Sequence, residues 1–416
     1  MTGSEGSRES LGDSAVSSIK VVYLDHHATT PCDPRVIAAM RPYWADDFGN
    51  PASASHAFGW RAEAAVEAAR EEIARAIGAA DPREIVFTSG ATESDNLALQ
   101  GALRARGVAG AGLVTGATEH AAVLDTARVL AKQGAALSVL PVDAGGRVDP
   151  ADVARAITRE TVLVSLMAAN SEVGALAPLA EIGALCAERG VLFHSDAAQA
   201  VGKIPLNVEA LGIDLLSISG HKLYGPKGIG ALYVRRRRRS GERLTLAPLV
   251  YGGGQERGMR SGTLPTPLIV GFARAVSLAV AEQPTESARI AALRDRLFGR
   301  LAESAGDLQL NGPAAPRLAG NLNVAFAGIE ADALIARLPD LALSTGSACS
   351  SAKPEPSHVL AALGLPLARI KASLRIGLGR FSTEAEVDFA AERIAEEVRK
   401  QRAERSAGIA ASNPAR

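Results

Sequence analysis

The sequence contains few cysteines and few aromatic residues. Among its 416 residues there are only three cysteines, Cys32, Cys186 and Cys349, and they lie far apart. An odd number at these spacings forms neither a disulfide framework nor a metal-binding pattern. We therefore expect no metal site, and this cysteine usage is typical of a reducing cytoplasm.

The sequence also lacks an excess of charge and long apolar runs. Its 45 basic and 45 acidic residues balance, so we expect no direct binding of nucleic acid or of an anionic membrane surface. No apolar run reaches the roughly 18 residues that span a bilayer. Residues 1–18 do not have the pattern of a secretion signal. We expect a cytoplasmic protein with no membrane contact and with disordered ends, over residues 1–18 and 403–416.

The order of apolar segments predicts an α/β fold. Between residues 84 and 235, apolar runs alternate with helical patterns, which is typical of βαβ units and a mostly parallel sheet. Strands are predicted at residues 84–89, 112–116, 161–168, 190–196, 214–219 and 229–234. After residue 281 the pattern becomes helix, strand and helix, which predicts a smaller α/β domain. Thr383 and Glu386 form a candidate capping box at the start of its last helix.

The three cysteines have different surroundings. Cys186 lies on the apolar face of a predicted helix ending at Gly190, so we expect it to be buried, and Cys32, in a turn-like segment, is also interpreted as structural. Cys349 lies in "LSTGSACSSAKPEPS", where small polar residues and two prolines indicate an exposed loop. These residues alone support a reactive thiol and an inert surface thiol equally.

The arginine run at residues 235–239 is interpreted as a solvated loop, and a docking patch for an acidic partner is the second interpretation.

Four features fall where the strands of the predicted sheet end. Lys222 directly follows a strand, where an amine can bond covalently to a carbonyl group. Near Thr92 a helix begins after a Ser-Gly turn, and its free N–H groups suit a phosphate. Asp196 and His120 each follow a strand at the same edge, where a carboxylate can keep a pyridine nitrogen protonated and an imidazole can stack or relay a proton. Each feature alone is more often structural, but together they predict a pyridoxal 5'-phosphate site.

Several motifs resemble those of one enzyme family. The segments "YLDHHATTP", "EIVFTSGATESDNLA", "HSDAAQAVGK", "SGHKLYGPKGIGALYV", "GGGQERGMRSGT" and "STGSACSSAKPEPSHVL" resemble the cysteine desulfurases of the class V aminotransferase group. The branch that they resemble is the iron–sulfur-cluster type with a long cysteine loop. The resemblance extends from about residue 22 to about residue 400.

The resemblance implies a fold-type I pyridoxal-phosphate-dependent transferase. Such a fold has a large α/β domain with a mostly parallel seven-stranded sheet and a smaller α/β C-terminal domain. Residues 19–30 would belong to the small domain, 31–281 would form the large cofactor-binding domain, and 282–402 would form the small domain with the cysteine loop, 343–357.

The resemblance also implies a homodimer and a role for each matched residue. Lys222 would carry pyridoxal 5'-phosphate, His120 would stack on its ring and assist catalysis, and Cys349 would be the nucleophile. Asp196 would pair with the pyridine nitrogen, and Gln199 would lie near the ring hydroxyl. The remaining cofactor contacts would come from Ala91, Thr92, Asn170, Ser171, Ser219, His221 and, from the other subunit, Thr263. Arg375 and Ser171 would bind the substrate carboxylate.

The activity implied is conversion of L-cysteine to L-alanine, with the sulfur held on Cys349 as a persulfide and passed to an acceptor protein. The acceptor could belong to cluster assembly, tRNA thiolation, DNA phosphorothioation or a biosynthetic pathway. One departure is Ser171, where the family has a second asparagine that contacts the cofactor's ring oxygen and the substrate carboxylate, so we expect slower turnover or weaker cysteine binding. A selenocysteine lyase, another enzyme of this fold and a non-catalytic sulfur-trafficking scaffold remain as alternatives.

Overall fold

The computed structural model describes residues 21–237, 241–346 and 356–412. Its strands are β1 Val22–Tyr23, β2 Ile85–Thr88, β3 Gly112–Gly116, β4 Ala136–Leu140, β5 Thr161–Ser165, β6 Leu192–Asp196, β7 Leu215–Ser219, β8 Gly230–Val234, β9 Leu308–Leu310, β10 Asn321–Phe326, β11 Leu341–Ala342 and β12 Ser373–Gly377. Its helices are α1 Pro34–Met40, α2 Pro42–Ala45, α3 Ala57–Ile77, α4 Ala91–Arg106, α5 Ala121–Lys132, α6 Pro150–Ala156, α7 Leu179–Arg189, α8 Thr266–Ala305, α9 Ala331–Ala336, α10 His358–Ala362, α11 Leu367–Lys371 and α12 Glu384–Ser412. The segment predicted to be disordered at the start of the chain, 1–18, lies outside the described residues.

The larger sheet has seven strands in the order β2-β8-β7-β6-β5-β3-β4. The neighbouring strands from β7 to β4 are parallel, and only β8 runs antiparallel to the strands beside it. The predicted α/β fold with a mostly parallel seven-stranded sheet is therefore confirmed. All six strands placed from the sequence are present. The strand that the sequence pattern missed, β4, lies at the sheet edge and is largely solvent-exposed, so it lacks the continuous apolar run of its neighbours.

Helices cover both faces of this sheet because its central strands are buried on both sides. Every residue of β6, β7 and β8 is buried. Helix α7 packs an apolar face that includes Cys186 against the sheet and ends at Gly190, whose φ of +66° suits glycine. The expected burial of Cys186 is confirmed, and burial raises the pKa of its thiol to about 12.

A second apolar core forms around the three-stranded antiparallel sheet β12-β10-β9 and the parallel pair β1-β11. The long helix α8 contributes residues up to Ala279 to the first core and residues from Ile290 onward to the second. We therefore propose that the division between the two domains falls within α8, near residue 281. The capping box that precedes α12 is confirmed, since Glu386 N–H donates to Thr383 Oγ1 and Thr383 N–H donates to Glu386 Oε2.

Two sequence predictions need correction. The tail predicted to be disordered from residue 403 is helical as far as Ser412, because α12 continues and Arg402 and Arg405 donate to the carbonyl groups of Ala327 and Gly328. Residues 413–416 lie outside the described part of the chain.

The arginine run is also not a solvated loop at its start. Arg235 is buried and pairs with Glu209 at 2.7 Å and Asp214 at 3.1 Å, and Arg236 pairs with Asp81 at 2.5 Å. Arginines 238 and 239 lie outside the described residues.

Along the residues that the structure describes, we find no helix with both the length and the apolarity that crossing a bilayer requires.

Candidate active site

A cavity of about 430 Å³ opens where the parallel strands of the large sheet end. Its wall contains residues that follow β2, β3, β5, β6 and β7, together with β12 of the smaller sheet and the segment after β1. The carboxyl edge of a parallel sheet is where such folds bind ligands. The wall includes these residues proposed from the sequence: Ala91, Thr92, His120, Ser171, Asp196, Gln199, Ser219, His221, Lys222 and Arg375.

Lys222 lies at the end of a short 3₁₀ turn, Gly220–Lys222, that directly follows β7. Its Nζ donates to the backbone carbonyl groups of His27 at 2.8 Å and Ala28 at 2.6 Å. Close packing requires glycine at 220, because a Cβ there would lie 2.8 Å from the carbonyl oxygen of Pro226. Backbone carbonyl groups of the N-terminal segment therefore help to hold the amine in the cavity wall.

The start of α4 forms the end of the cavity that suits an anion. Gly90 is the N-cap residue, has φ of +153°, and leaves the helix without a side-chain cap. The unpaired N–H groups and partial positive charge of a 16-residue helix attract a phosphate. Ser219, His221 and Lys227 line the same cavity. Burial and nearby lysines lower the pKa of His221 to about 4, so its imidazole, which bonds to Thr29 Oγ1 at 3.0 Å, is neutral at physiological pH.

Asp196 and His120 lie on the wall beyond the ends of β6 and β3. The carboxylate of Asp196 is buried and accepts a hydrogen bond from Ala198 N–H at 2.9 Å. Burial raises its pKa, while electrostatic interactions with His120 and Lys222 oppose that shift. A buried carboxylate whose pKa is raised by burial is stabilised in its ionised form by a cationic partner. The Nδ1 of His120 accepts from Ala122 N–H at the start of α5, which fixes the orientation of the ring.

Arg375 reaches the cavity from β12 of the smaller sheet. It is 1% exposed, and its Nη2 pairs with Asp25 Oδ1 at 2.8 Å. Within the described residues its Nε has no hydrogen-bond partner. A buried guanidinium with a free donor is suited to a carboxylate ligand.

The remaining proposed residues are not in this wall. The side chain of Asn170 is bonded to the backbone, with Oδ1 accepting from the N–H groups of Glu172 and Val173 and Nδ2 donating to the Thr118 carbonyl. Its observed contacts hold the turn that places Ser171 at the cavity. Thr263 lines a different cavity, of about 240 Å³. Cys349 lies outside the described residues.

Sequence reasoning missed several groups at the site. His27, Thr29, Glu93, Met167 and Lys227 line the cavity, and Asp25 pairs with Arg375. No local pattern distinguishes them, because their position depends on contacts between distant segments. The adjacent histidines in "YLDHHATTP" are the one unusual local signal for these groups.

Pyridoxal 5'-phosphate fits these residues on three observations. The lysine amine faces one side of the cavity, the uncapped end of α4 offers donors to a phosphate, and the buried carboxylate of Asp196 needs a positive partner such as a protonated pyridine ring. Arg375 adds a donor, Nε, that has no partner in the described part of the chain and can bind a substrate carboxylate.

Comparison with known proteins identifies the family. The family model described as aminotransferase class-V matches residues 22–389, so the chain belongs to the class-V aminotransferase family. The cysteine desulfurase IscS of Anaeromyxobacter dehalogenans (strain 2CP-C) is 53% identical over 381 residues, which cover 92% of this chain and 93% of the relative. Two solved structures are similar: a NifS-like protein (TM-score 0.83, 36% identity, covering 90% of this chain and 98% of the other) and SspA in complex with cysteine (TM-score 0.75, 39% identity, covering 87% and 99%). These relatives place the chain among the pyridoxal-phosphate-dependent cysteine desulfurases of that family.

Proposed function

We propose that the protein converts L-cysteine to L-alanine and transfers the sulfur to Cys349 as a persulfide. The observation that carries the proposal is the convergence of Lys222, Asp196 and Arg375 on one cavity, in a chain whose relatives include a desulfurase and a protein solved with cysteine. The reaction needs no external oxidant. The Cys349 thiolate attacks the substrate sulfur, an S–S bond forms as the C–S bond breaks, and the electron pair left on carbon takes up a proton to give alanine.

The described residues support a role for each part of the site. When bound, pyridoxal phosphate withdraws electrons from the substrate α-carbon. Arg375 binds the substrate carboxylate, and Lys222 removes and returns protons at the substrate carbons. Asp196 would stabilise positive charge on the pyridine ring, and His120 would stack on that ring. Ala91, Thr92, Ser219 and His221, which line the same cavity, would hold the phosphate.

The chain on either side of Cys349 supports its access to this cavity. Gly346 and Ser357 both lie against Glu172, since a Cβ at Gly346 would be 3.5 Å from Glu172 Oε2 and Ser357 Oγ donates to that oxygen at 2.6 Å. Glu172 directly follows Ser171 of the cavity wall. Cys349 is three residues beyond Gly346, so the Cα atoms of these two residues can be at most about 11 Å apart.

We also infer that the enzyme is a homodimer. Thr263 lines a different cavity from the one at the start of α4, which supports a phosphate contact from a second copy of the chain. Helices α2 and α3 and the turn between them expose Trp44 (62%), Phe48 (64%) and Trp60 (55%), which is typical of a surface that a partner covers. We place the enzyme in the cytoplasm, because the described cysteines, Cys32 and Cys186, are free thiols.

The sulfur acceptor is a protein that takes the persulfide from Cys349. The acceptors that fit this chemistry are a cluster scaffold, a tRNA-thiolation protein, a DNA-phosphorothioation protein or a biosynthetic sulfur carrier.

Alanine release from L-cysteine tests the proposal. With excess reductant, the wild type is expected to release alanine and Cys349→Ala to release almost none, because only Cys349 would accept the sulfur. Cys32→Ala is the matched control. Its thiol is half-buried and its pKa is raised by burial and by Asp33, so it is a poor nucleophile and its loss is expected to leave the rate unchanged. Equal release by wild type and Cys349→Ala, or none from either, would overturn the proposed mechanism.

A further inference from the structure

Lys203 lies behind the cavity wall, in the turn that follows Gln199. Its Nζ donates a hydrogen bond of 2.6 Å to Gln199 Oε1. Burial lowers the pKa of Lys203 to about 7, with the charge of Lys222 acting in the same direction and that of Glu286 opposing it. Burial of a lysine amine costs free energy, so we asked which group its hydrogen bonds hold in place next to the active-site wall.

The contacts of Lys203 determine which way the Gln199 carboxamide faces. The two ends of a carboxamide have nearly the same shape, so the orientation follows from the groups around it. In its protonated form Lys203 only donates hydrogen bonds, so the atom beside it is then the amide oxygen. His27 Nδ1 lies 3.3 Å from the same oxygen and fits this arrangement when Nδ1 carries the ring proton. The protonated Lys203 therefore requires the amide NH₂ group on the opposite side.

The NH₂ group of Gln199 meets the backbone contacts of Lys222. Nε2 of Gln199 donates to the His27 carbonyl at 2.9 Å, and the same carbonyl accepts from Lys222 Nζ at 2.8 Å. Among the described residues of the cavity wall, Gln199 is the only carboxamide, and Ser171 carries only a hydroxyl. The direction of this one amide thus decides whether the wall presents a donor or an acceptor next to Lys222.

We propose that Lys203 is a positioning residue that holds the Gln199 carboxamide with its NH₂ group toward the cofactor. The inference rests on the proposed function and on the position near the ring hydroxyl that the family resemblance implies for Gln199. An ionised ring oxygen accepts hydrogen bonds, so a reversed amide would place two acceptors against each other. Lys203 acts through Gln199 and does not itself line the cavity.

The other side of Lys203 offers partners for its remaining N–H groups. A cavity of about 40 Å³ lies there, lined in part by His26, His27, Tyr224 and Glu286. This volume is large enough for a water molecule, for which a cavity needs on the order of 10–15 Å³ and two to four polar partners. Burial lowers the pKa of His26 to about 4, with Lys203 contributing, and lowers that of His27 well below its usual range. Both histidines are therefore neutral, so the nearby charged groups are Lys222, Glu286 and, below its pKa of about 7, Lys203.

The affinity of the protein for pyridoxal phosphate tests the proposal directly. Apo-protein of the wild type and of Lys203→Met, Lys203→Arg, Gln199→Ala and the double variant Lys203→Met/Gln199→Ala is titrated with pyridoxal phosphate, with the visible absorbance of the bound cofactor as the signal. Lys203→Met is expected to weaken binding about tenfold, the effect of one misdirected buried hydrogen bond. Lys203→Arg keeps a charged donor and is expected to retain most of the affinity. The double variant is expected to bind no more weakly than Gln199→Ala alone.

The thermal midpoint of each apo-protein separates this role from simple packing. A lower midpoint in Lys203→Met with unchanged affinity would overturn the proposal, and so would losses that multiply in the double variant. If Lys203→Met does not fold, Lys203→Gln replaces it, since its neutral amide no longer dictates the direction of the Gln199 amide, and the same weakening is expected. A wild type that binds pyridoxal phosphate but releases no alanine from L-cysteine would refute the proposed function while leaving the affinity cycle interpretable.

Discussion

The ion pair between Arg70 and Glu256 joins helix α3 to the loop that carries Thr263. Arg70 is 2% exposed and Glu256 is 5% exposed. The two guanidinium nitrogens of Arg70 lie 2.9 and 2.8 Å from the two carboxylate oxygens of Glu256. Glu256 also accepts from Phe87 N–H at 2.8 Å, and Arg70 donates to the Ile85 carbonyl at 2.6 Å, so both charges are bonded to strand β2.

The backbone of this loop depends on the pair. Glu256 and Arg257 have φ of +48° and +58°, in the left-handed region that non-glycine residues rarely occupy. Each such residue costs on the order of 1–3 kcal/mol and persists only where surrounding contacts hold it. Removal of the Glu256 carboxylate leaves a buried arginine charge and removes a main anchor of the strained backbone. We expect Glu256→Ala to lower the free energy of unfolding by about 3–5 kcal/mol, the range for breaking one side of a buried ion pair.

Chemical denaturation of four variants tests this value. Arg70→Met is expected to cost a similar amount, while the double variant Arg70→Met/Glu256→Ala is expected to lose clearly less than the sum of the single losses, because it leaves no unpaired buried charge. The control is Arg128→Ala, which breaks the exposed pair with Asp125 and is expected to cost less than about 1 kcal/mol. A loss below about 1 kcal/mol for Glu256→Ala, or strict additivity in the double variant, would refute the reasoning.

Two further predictions concern the site and the sheet beneath it. Ser171→Asn is expected to raise kcat/KM for L-cysteine several-fold, about the worth of one hydrogen bond, and unchanged steady-state constants would contradict this. His194 is buried between Ser165 and Ser217, and burial lowers its pKa to about 3. Because the unfolded histidine binds a proton below pH of about 6.5 and the folded one does not, the free energy of unfolding is expected to fall by about 1.4 kcal/mol per unit as the pH decreases from there. Wild type should therefore lose about 2 kcal/mol more than His194→Gln between pH 7 and pH 5, and parallel pH curves would show that His194 does not titrate this way.

Much of the site was predictable because it depends on local features of one sheet. Buried parallel strands appear as continuous apolar runs, and the residues that follow them converge at one edge. Lys222, Asp196, His120 and Thr92 were placed together on that basis, and all four line the cavity. The sequence pattern missed β4 because this edge strand lacks a continuous apolar run.

The rest was not predictable, because it depends on contacts between distant segments. Arg375 and Asp25 are separated by 350 positions, and no periodicity links them. The direction of the Gln199 amide follows from Lys203, whose spacing of four residues is visible in "QAVGK" but carries no meaning until the turn is known. Similarly, the burial of Arg235 requires Glu209 and Asp214, which approach it only in the folded chain.

The N-terminal segment after β1 ties the two halves of the site together. Asp25 pairs with Arg375 of the smaller sheet, and the His27 carbonyl accepts from both Lys222 and Gln199 of the larger one. Thr30 continues the connection, since its hydroxyl donates to the His221 carbonyl and accepts from Tyr224 N–H. The contacts on the lysine side use backbone carbonyl groups, the hydroxyls of Thr29 and Thr30, and the His27 imidazole. The position of the proposed carboxylate-binding arginine relative to the proposed cofactor lysine therefore depends on the path of six residues, 25–30, which few features of their sequence indicated.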